Sequence, residues 1–405
     1  MNICVLGQGY VGLPISIHAA QTGYTVYGYD ISEDKLKKLK EGITTSPEVE
    51  KQTILDLQST KKLNFISELD RNLEISIFVI AVPTPLNLKH EPDLSMLKNA
   101  CEKIGEVITS NSLVINESTS FIGTLRDFIK PLIDKESKST GIKYAVAPER
   151  IDPGNVEWNV SNTPRVISGL SDEAIREAGE FYEKFCSHVY PVPIPEIAEA
   201  AKLIENSFRQ VNIALVNQLT NLAHQYNFSI NDAISAAATK PFGFMPFYPS
   251  IGVGGHCIPV DPSYLIYSAK KIGSDASLIE QANEINFNMP ELIAARIEEF
   301  FGETLEAKRI QIVGISYKLD IADIREAPAL ELIKILRSRG AVVTWCDPLV
   351  NECWGETSAP IDKNIDLGLI VTPHSLIDLS IWKTSGVKVL DLSANPINYG
   401  WSKFL

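Results

Sequence analysis

The chain has no excess of positive charge: 37 lysines and arginines stand against 50 aspartates and glutamates, a formal net charge of −13 over 405 residues. A general affinity for nucleic acid or for an anionic membrane face is therefore not expected. Any anionic substrate must be held by a few placed cations and backbone amides. A long hydrophobic run is also missing. The longest, around residues 75–82, falls far short of the about 20 apolar residues that a membrane span needs. Cysteine is sparse, and Cys4, Cys101, Cys186, Cys257, Cys346 and Cys353 show neither paired metal-ligand spacing nor a dense disulfide pattern. They read as reduced thiols, no metal site is expected, and the question becomes whether one of them is chemical. Tandem repeats and low-complexity tracts are absent, which excludes a solenoid. A buried-strand pattern begins at residue 2, so no signal peptide is expected ahead of the fold. What remains is an ordinary globular composition, 45% hydrophobic and 21% charged, in a chain too long for one core. Two or three domains and a cytoplasmic location are the expectation.

Apolar runs at residues 2–6, 25–29, 75–82, 113–116 and 144–147 alternate with helix-length segments. That alternation predicts a parallel sheet with helices on both faces. Residues 191–195 are proline-rich and read as a linker. Residues 196–226 carry few breakers and a helical apolar period, which predicts one long helix. More helix is expected to about residue 238, then a Gly/Pro/aromatic loop over 240–262 and helix again over 264–301. A second alternating region offers strands at 309–314, 342–346, 367–372 and 387–392. The expected fold is α/β: two Rossmann-like doubly wound domains joined by a helical central region with one long helix. The boundaries are 1–192 for the first domain, 193–302 for the helical middle and 303–405 for the last.

Gly7-Gln8-Gly9-Tyr10-Val11-Gly12 fits the dinucleotide fingerprint, with a strand before it and a helix after it. Gly7 serves the tight turn, Gly9 the approach of backbone to a pyrophosphate, and Gly12 close packing of helix on sheet. The helix N-terminus adds amide donors and the positive end of a dipole. Asp30 ends the next strand, eighteen residues past Gly12. A carboxylate there suits the adenosine ribose hydroxyls and repels a 2′-phosphate, so NAD is expected rather than NADP.

Gly252-Val253-Gly254-Gly255-His256-Cys257-Ile258-Pro259-Val260-Asp261-Pro262 is the most informative segment. Three glycines crowd a loop just before Cys257, allowing close backbone approach to a ligand and exposing the thiol. A structural cysteine more often sits inside a strand or helix, and an unpaired one is usually inert. Beside a cofactor site the balance reverses. His256 is adjacent, but loop neighbours often point apart, so it is read as structural or substrate-facing rather than as the base.

With this loop the chain resembles the UDP-glucose/GDP-mannose dehydrogenase family, almost end to end. The resemblance is carried by the glycine-rich start, Val82-Pro83-Thr84-Pro85, Pro92-Asp93-Leu94-Ser95, Glu117-Ser118-Thr119, Pro148-Glu149-Arg150 and Lys202 with Asn206. The cysteine loop, Gly314-Ile315-Ser316-Tyr317-Lys318 and Asp323-Ile324-Arg325-Glu326-Ala327-Pro328 complete it. The family implies a four-electron oxidation of a sugar C6 alcohol in two hydride transfers. A nucleophilic cysteine, matched by Cys257, adds to the intermediate aldehyde as a thiohemiacetal. A thioester follows, which water hydrolyses to the carboxylate. The resemblance makes Lys202 an acid/base or electrostatic stabiliser and Asn206, four residues on, a holder of water or of the oxyanion. Asp261 matches the carboxylate that works with the lysine, Glu149 the residue of thioester hydrolysis, and Thr119 the one that positions water and cofactor. The same resemblance adds Lys35, Pro83, Thr84, Thr119 and Arg325 to the cofactor site. It gives Glu149, Arg150, Lys202, Asn206, Phe247, Tyr248, Gly254, His256 and Lys318 to the substrate, with Lys318 at the diphosphate. It also implies a homodimer through the central helix and a role in making surface-polysaccharide precursors.

The stretches around 148–155 and 240–249 resemble the N-acetylhexosamine branch, favouring UDP-N-acetylglucosamine, then UDP-N-acetylmannosamine, with UDP-glucose and GDP-mannose behind. Ser250 stands where relatives usually place glycine, and Ser120-Phe121-Ile122-Gly123 departs from the usual Val-x-Pro-Gly. Two rival readings are a two-electron hydroxyacid-type dehydrogenase, which needs no thiol, and a nucleotide-sugar sensor without chemistry. The intact Lys202, Asn206, Cys257 and Asp261 speak against the sensor.

Overall fold

The computed structural model describes residues 1–405 other than 45, 47, 48, 88, 153, 154, 156, 256, 395–400 and 402–403. It divides into two compact units. The first comprises Met1–Glu205 with Ser263–Gly273, and the second Asn206–Pro262 with Ser274–Leu405.

The first unit is built on strands β1 (Asn2–Leu6), β2 (Thr25–Tyr29), β3 (Leu63–Ile66), β4 (Ile75–Ile80), β5 (Leu113–Asn116), β6 (Lys143–Val146), β7 (Arg165–Gly169) and β8 (Val189–Pro191). They form one sheet in the order β3-β2-β1-β4-β5-β6-β7-β8. The first six run parallel, and the order reverses at β1, which opens a crevice between β1 and β4 at their carboxyl ends. In β1, Ile3 and Val5 join one buried cluster and Cys4 and Leu6 another, so both faces are covered. That is why these strands read as unbroken apolar runs.

The sheet is mixed, where the sequence predicts a parallel one, because β7 pairs antiparallel to β6. The described residues between β6 and β7 hold no helix, and a parallel return requires a crossover. The helix Asp172–Tyr182 then supplies that crossover for β8, which is parallel to β7. β4 stops at Ile80 rather than continuing to residue 82, since Pro83 and Pro85 cannot donate to a ladder. The expected linker shrinks to residues 192–194, because β8 ends at Pro191 and the long helix begins at Pro195. That helix, Pro195–Tyr226, matches the expected span to within one residue.

The second unit carries the helices Ile230–Ala238, Ser277–Phe287, Met289–Phe301 and Pro328–Ser338 and a smaller sheet. Its strands are β9 (Arg309–Val313), β10 (Val342–Cys346), β13 (Leu367–Ile370) and β14 (Val389–Asp391), all parallel, in the order β10-β9-β13-β14. A short hairpin, β11 (Glu352–Cys353) with β12 (Glu356–Thr357), lies between β10 and β13 in sequence. Ile310, Ile312, Leu332, Leu336, Trp345 and Leu369 form its core.

The two sheets repeat one local design. Gly7 and Gly314 both take a positive φ, 91° and 79°, directly after the first strand of their sheet. Each donates its N–H to the last residue of the neighbouring strand, Tyr29 and Cys346, at 2.8 Å. Directly after each of those neighbouring strands an aspartate caps the glycine loop: Gln8 N–H donates to Asp30 and Ile315 N–H to Asp347, both at 2.9 Å. Among the described residues, no helix is long and apolar enough to cross a membrane.

Candidate active site

At the crevice of the first unit, a Cβ on Gly7 would run into the carbonyl oxygen of Ala81, and one on Gly12 into that of Gly7. Only glycine fits either place. At Gly9 a Cβ would meet nothing within 4 Å, so the backbone there faces open space that a pyrophosphate could approach. Tyr10 and Val11 are half-buried beside it, and the helix Gly12–Gln21 starts at once. Asp30 is buried; it accepts from Gln8 N–H and Lys35 Nζ (2.9 and 2.8 Å) at one oxygen and from Ser32 N–H (3.0 Å) at the other. A carboxylate offers about four lone-pair sites, which leaves acceptor capacity for a ribose hydroxyl. The Lys35 ammonium offsets part of the repulsion that Asp30 alone would exert on a 2′-phosphate. These residues therefore fit a dinucleotide, and Gly7, Gly9, Gly12 and Asp30 are the ones that would hold it. Pro83 is exposed at the end of the β4 loop, and the buried Thr84 gives its carbonyl to Tyr264 Oη at 3.1 Å.

Thr119 follows β5 on a firmly held backbone. Glu117 N–H and Ser118 N–H both donate to Ile80 O, and Ser118 Oγ donates to Val82 O at 2.7 Å. The Glu117 side chain, wholly buried, binds the Arg165 guanidinium and the Tyr182 hydroxyl. Its own carbonyl accepts the Glu149 N–H at 3.2 Å. One buried ion pair thus anchors the backbone of both Thr119 and Glu149.

Glu149 and Lys202 are both buried, and Lys202 Nζ lies 3.4 Å from Glu149 Oε2. The other Glu149 oxygen accepts the Ile151 N–H. Arg150 turns instead to Glu205, on which its guanidinium forks, and donates to Pro164 O at 2.8 Å. Glu199, a turn before Lys202 on the long helix, accepts from Gly123 N–H at 2.6 Å and Leu125 N–H at 2.9 Å. It ties the helix to the segment that follows Thr119. Burial pushes the Glu199 carboxyl up to about 7 against the pull of those two amides, with Glu196 and Asp127 adding to the rise.

In the second unit, Asn206 Nδ2 donates to Asp261 Oδ2 at 2.5 Å, and both side chains are buried. Cys257 is half-buried, and its carbonyl accepts the Asp261 N–H at 2.9 Å. Its five fellow cysteines are also free thiols. His256 lies outside the described residues. Phe247 packs edge-on to Phe208 with ring centres 5.8 Å apart, and Tyr248 is half-buried beside it in the same cluster. Ser250 N–H donates to Asn217 Oδ1 at 2.8 Å, and its hydroxyl to Gly252 O at 2.7 Å, so serine serves this turn. Gly254 packs on Tyr317, Lys318 is half-buried next in sequence, and Arg325 is paired with Asp323 at 2.6 Å.

Residues 1–186 match the NAD binding domain of the UDP-glucose/GDP-mannose dehydrogenase family, residues 196–288 its central domain and residues 311–384 its UDP binding domain. The UDP-N-acetyl-D-mannosamine dehydrogenase of Pyrococcus horikoshii is 34% identical over 397 residues, covering 95% of this chain and 92% of the relative. The chain belongs to this family. A second member, the UDP-N-acetyl-D-glucosamine 6-dehydrogenase of Salmonella typhi, is 32% identical over 87% of this chain and 83% of its own length. A solved structure of the Pyrococcus horikoshii UDP-D-ManNAc dehydrogenase superposes with a TM-score of 0.88, covering 98% of this chain and 96% of that one. As a member of the UDP-glucose/GDP-mannose dehydrogenase family, the chain carries an NAD-binding domain and a UDP-binding domain and is a nucleotide-sugar 6-dehydrogenase by descent.

Four groups with consequences in the structure had no place among the predicted site residues: Arg165, Glu199, Tyr317 and His374. Glu199 left a trace, being an acid three residues before Lys202 on the same helix face. His374 left none. Buried, it takes the Asp320 N–H on Nδ1 at 2.8 Å, so its proton sits on Nε2, which lies 3.1 Å from Asp347. Burial alone would raise the Asp347 carboxyl; the His374 ring and the Ile315 and Leu349 amides hold it below the usual range.

Proposed function

We propose that this protein oxidises the C6 alcohol of a UDP-N-acetylhexosamine to the carboxylate in two steps through a thioester on Cys257. What carries the proposal is a set of buried polar pairs that no core requires: Lys202 with Glu149, and Asn206 with Asp261. Burying such groups costs stability unless they are paired, and even paired they add little, so their placement speaks for chemistry. Bound NAD would accept one hydride in each oxidation.

In the first oxidation Lys202 faces the alcohol and relays its proton to solvent as the carbon gives up hydride. The aldehyde that results has a single hydrogen on a planar carbon. The Cys257 thiolate adds to that carbon, and the carbonyl oxygen takes the electron pair and a proton, giving a thiohemiacetal. Its tetrahedral carbon can again lose hydride, because deprotonated oxygen pushes the electron pair in behind it. Lys202 and Asn206, a turn apart on one helix, stabilise that oxygen. Asp261 holds the Asn206 amide in orientation. Water then attacks the thioester with Glu149 taking its proton, and the carbon–sulfur bond breaks to return the thiol.

We place UDP-N-acetylmannosamine ahead of the UDP-N-acetylglucosamine that the sequence stretches favour, because the mannosamine enzyme of Pyrococcus horikoshii has the slightly higher identity, 34% against 32%. The uronate would feed surface-polysaccharide assembly. Purified protein with NAD and each of the two UDP-N-acetylhexosamines, UDP-glucose and GDP-mannose decides the matter. Two NADH per sugar consumed are expected with one UDP-N-acetylhexosamine. One NADH per sugar would sink the thioester route, and none with any of them would favour the sensor.

We also propose a homodimer through the long helix. Ile197, Ile204, Phe208, Leu215, Leu222 and Tyr226 are large, apolar and exposed. At 100° per residue they fall within about 20° of one line along the helix, a stripe suited to a second copy of itself. Sedimentation should give a dimer at micromolar concentration, and Leu215→Glu should shift it to monomer. A monomeric native protein would end the idea.

A further inference from the structure

Three glycines lead up to Cys257, and each is glycine because of what lies against it in the second unit. A Cβ on Gly254 would stand 2.7 Å from Tyr317 Cβ and 2.9 Å from both the Glu326 carbonyl oxygen and Pro328 Cδ. One on Gly255 would stand 2.7 Å from Cε2 of the Tyr317 ring. One on Gly252 would meet the Asn286 carbonyl oxygen at 2.9 Å and the Pro328 ring at 3.3 Å. Main-chain bonds hold the same surfaces together. Gly255 N–H donates to Arg325 O and Tyr317 N–H to Asp323 O, each at 3.0 Å. The Asp323 carboxylate in turn takes the Arg325 N–H at 3.0 Å. The cysteine loop therefore lies directly on the segment 317–328, backbone against ring, with no side-chain cushion. The loop backbone and the Tyr317 ring leave no room for even a methyl group between them, and close-packed surfaces of this kind transmit displacement.

The geometry points to Tyr317 as a positioning residue that couples nucleotide binding at the neighbouring Lys318 to the placement of the Cys257 thiol. The inference rests on the function proposed above and on the family resemblance, which sets Lys318 at the diphosphate. Drawing the Lys318 ammonium to a diphosphate shifts the Tyr317 backbone, and the ring has no slack against Gly254 and Gly255. The thiol is then held in place before any aldehyde exists. A ring that merely filled space would leave the thiol indifferent to nucleotide.

The probe is UDP alone, which lacks the hexose that is oxidised. Alkylation of Cys257 by iodoacetamide is followed by mass spectrometry of its peptide with and without UDP, and UDP binding by calorimetry. In the native protein UDP should slow alkylation at least about fivefold, the low end of typical coupling between sites, because a held thiol presents itself less often. Tyr317→Phe keeps the ring and should keep the effect. Tyr317→Leu keeps apolar bulk, should still bind UDP, and should lose the effect. UDP binding with unchanged alkylation of the native protein overturns the coupling while leaving the proposed function standing. Absence of UDP binding overturns both. Loss of the effect in Tyr317→Phe, or its survival in Tyr317→Leu, overturns the role given to the ring.

Discussion

Cys257→Ser is expected to lower the rate of carboxylate formation by on the order of 10⁶, the scale seen when an activated nucleophile is removed from a set that acts as a unit. A hydroxyl at that place holds its proton at neutral pH and adds to an aldehyde poorly. The first oxidation needs no thiol, so the variant should still release up to one NADH per sugar before stalling. The assay reads NADH and uronate together, with native protein giving two to one. Full turnover to uronate in the variant would show that the second oxidation passes through a hydrated aldehyde, and Cys257 would then be a structural thiol. Full turnover with one NADH and no uronate in both proteins would instead favour the hydroxyacid-type reaction. Binding of UDP-sugar should be little changed, since serine replaces sulfur with a smaller atom on the same loop.

What could be read from the sequence follows how local each cause is. The Gly7 corner was legible because its turn, its apolar strand and Asp30 lie within one short stretch and repeat a known physical need. The long helix was legible for the same reason, its period running unbroken to Tyr226. β3 escaped because Asn64 breaks its four-residue apolar run at the second position, whereas the asparagine of β5 stands at the end of its run. β7 escaped because it opens on Arg165 and holds Ser168, residues that read as exposed. In the fold they are buried: Arg165 finds Glu117, 48 positions earlier, and Ser168 Oγ donates to Val192 O. A partner that far away leaves no local pattern.

The site divides the same way. Cys257 announced itself by the glycines around it, whereas Lys202 and Asn206 came from the family resemblance, their spacing then setting both on one helix face. The partners of those two have no such spacing. Glu149 is 53 positions from Lys202, and Asp261 is 55 from Asn206. Only family resemblance singled them out, and their burial as pairs is a structural fact that no spacing rule contains. Arg150 shows the converse: a motif neighbour of Glu149, it forks onto Glu205.

Glu199 offers a test of how the Lys202 helix is tethered, through the pH dependence of stability. Its carboxyl is raised from 4.5 to about 7 by burial, so the folded chain holds a proton that the unfolded chain has already lost between those values. Stability therefore falls as pH rises through that window, by up to about 3 kcal/mol for a shift of this size, and is flat above it. Other groups titrate too, among them Glu196, which is held low by its Arg126 partner. The comparison with Glu199→Gln removes them, because glutamine has no proton to lose. Urea unfolding from pH 5 to pH 8 should show the native protein losing ground to the variant by that amount as pH rises. The opposite force is also present: the Gly123 and Leu125 amides both point at the carboxylate and favour its charged form. If the difference between the native protein and Glu199→Gln instead stayed constant from pH 5 to pH 8, those two donors would match or outweigh burial. The tether on the Lys202 helix would then be an ionised one throughout that range.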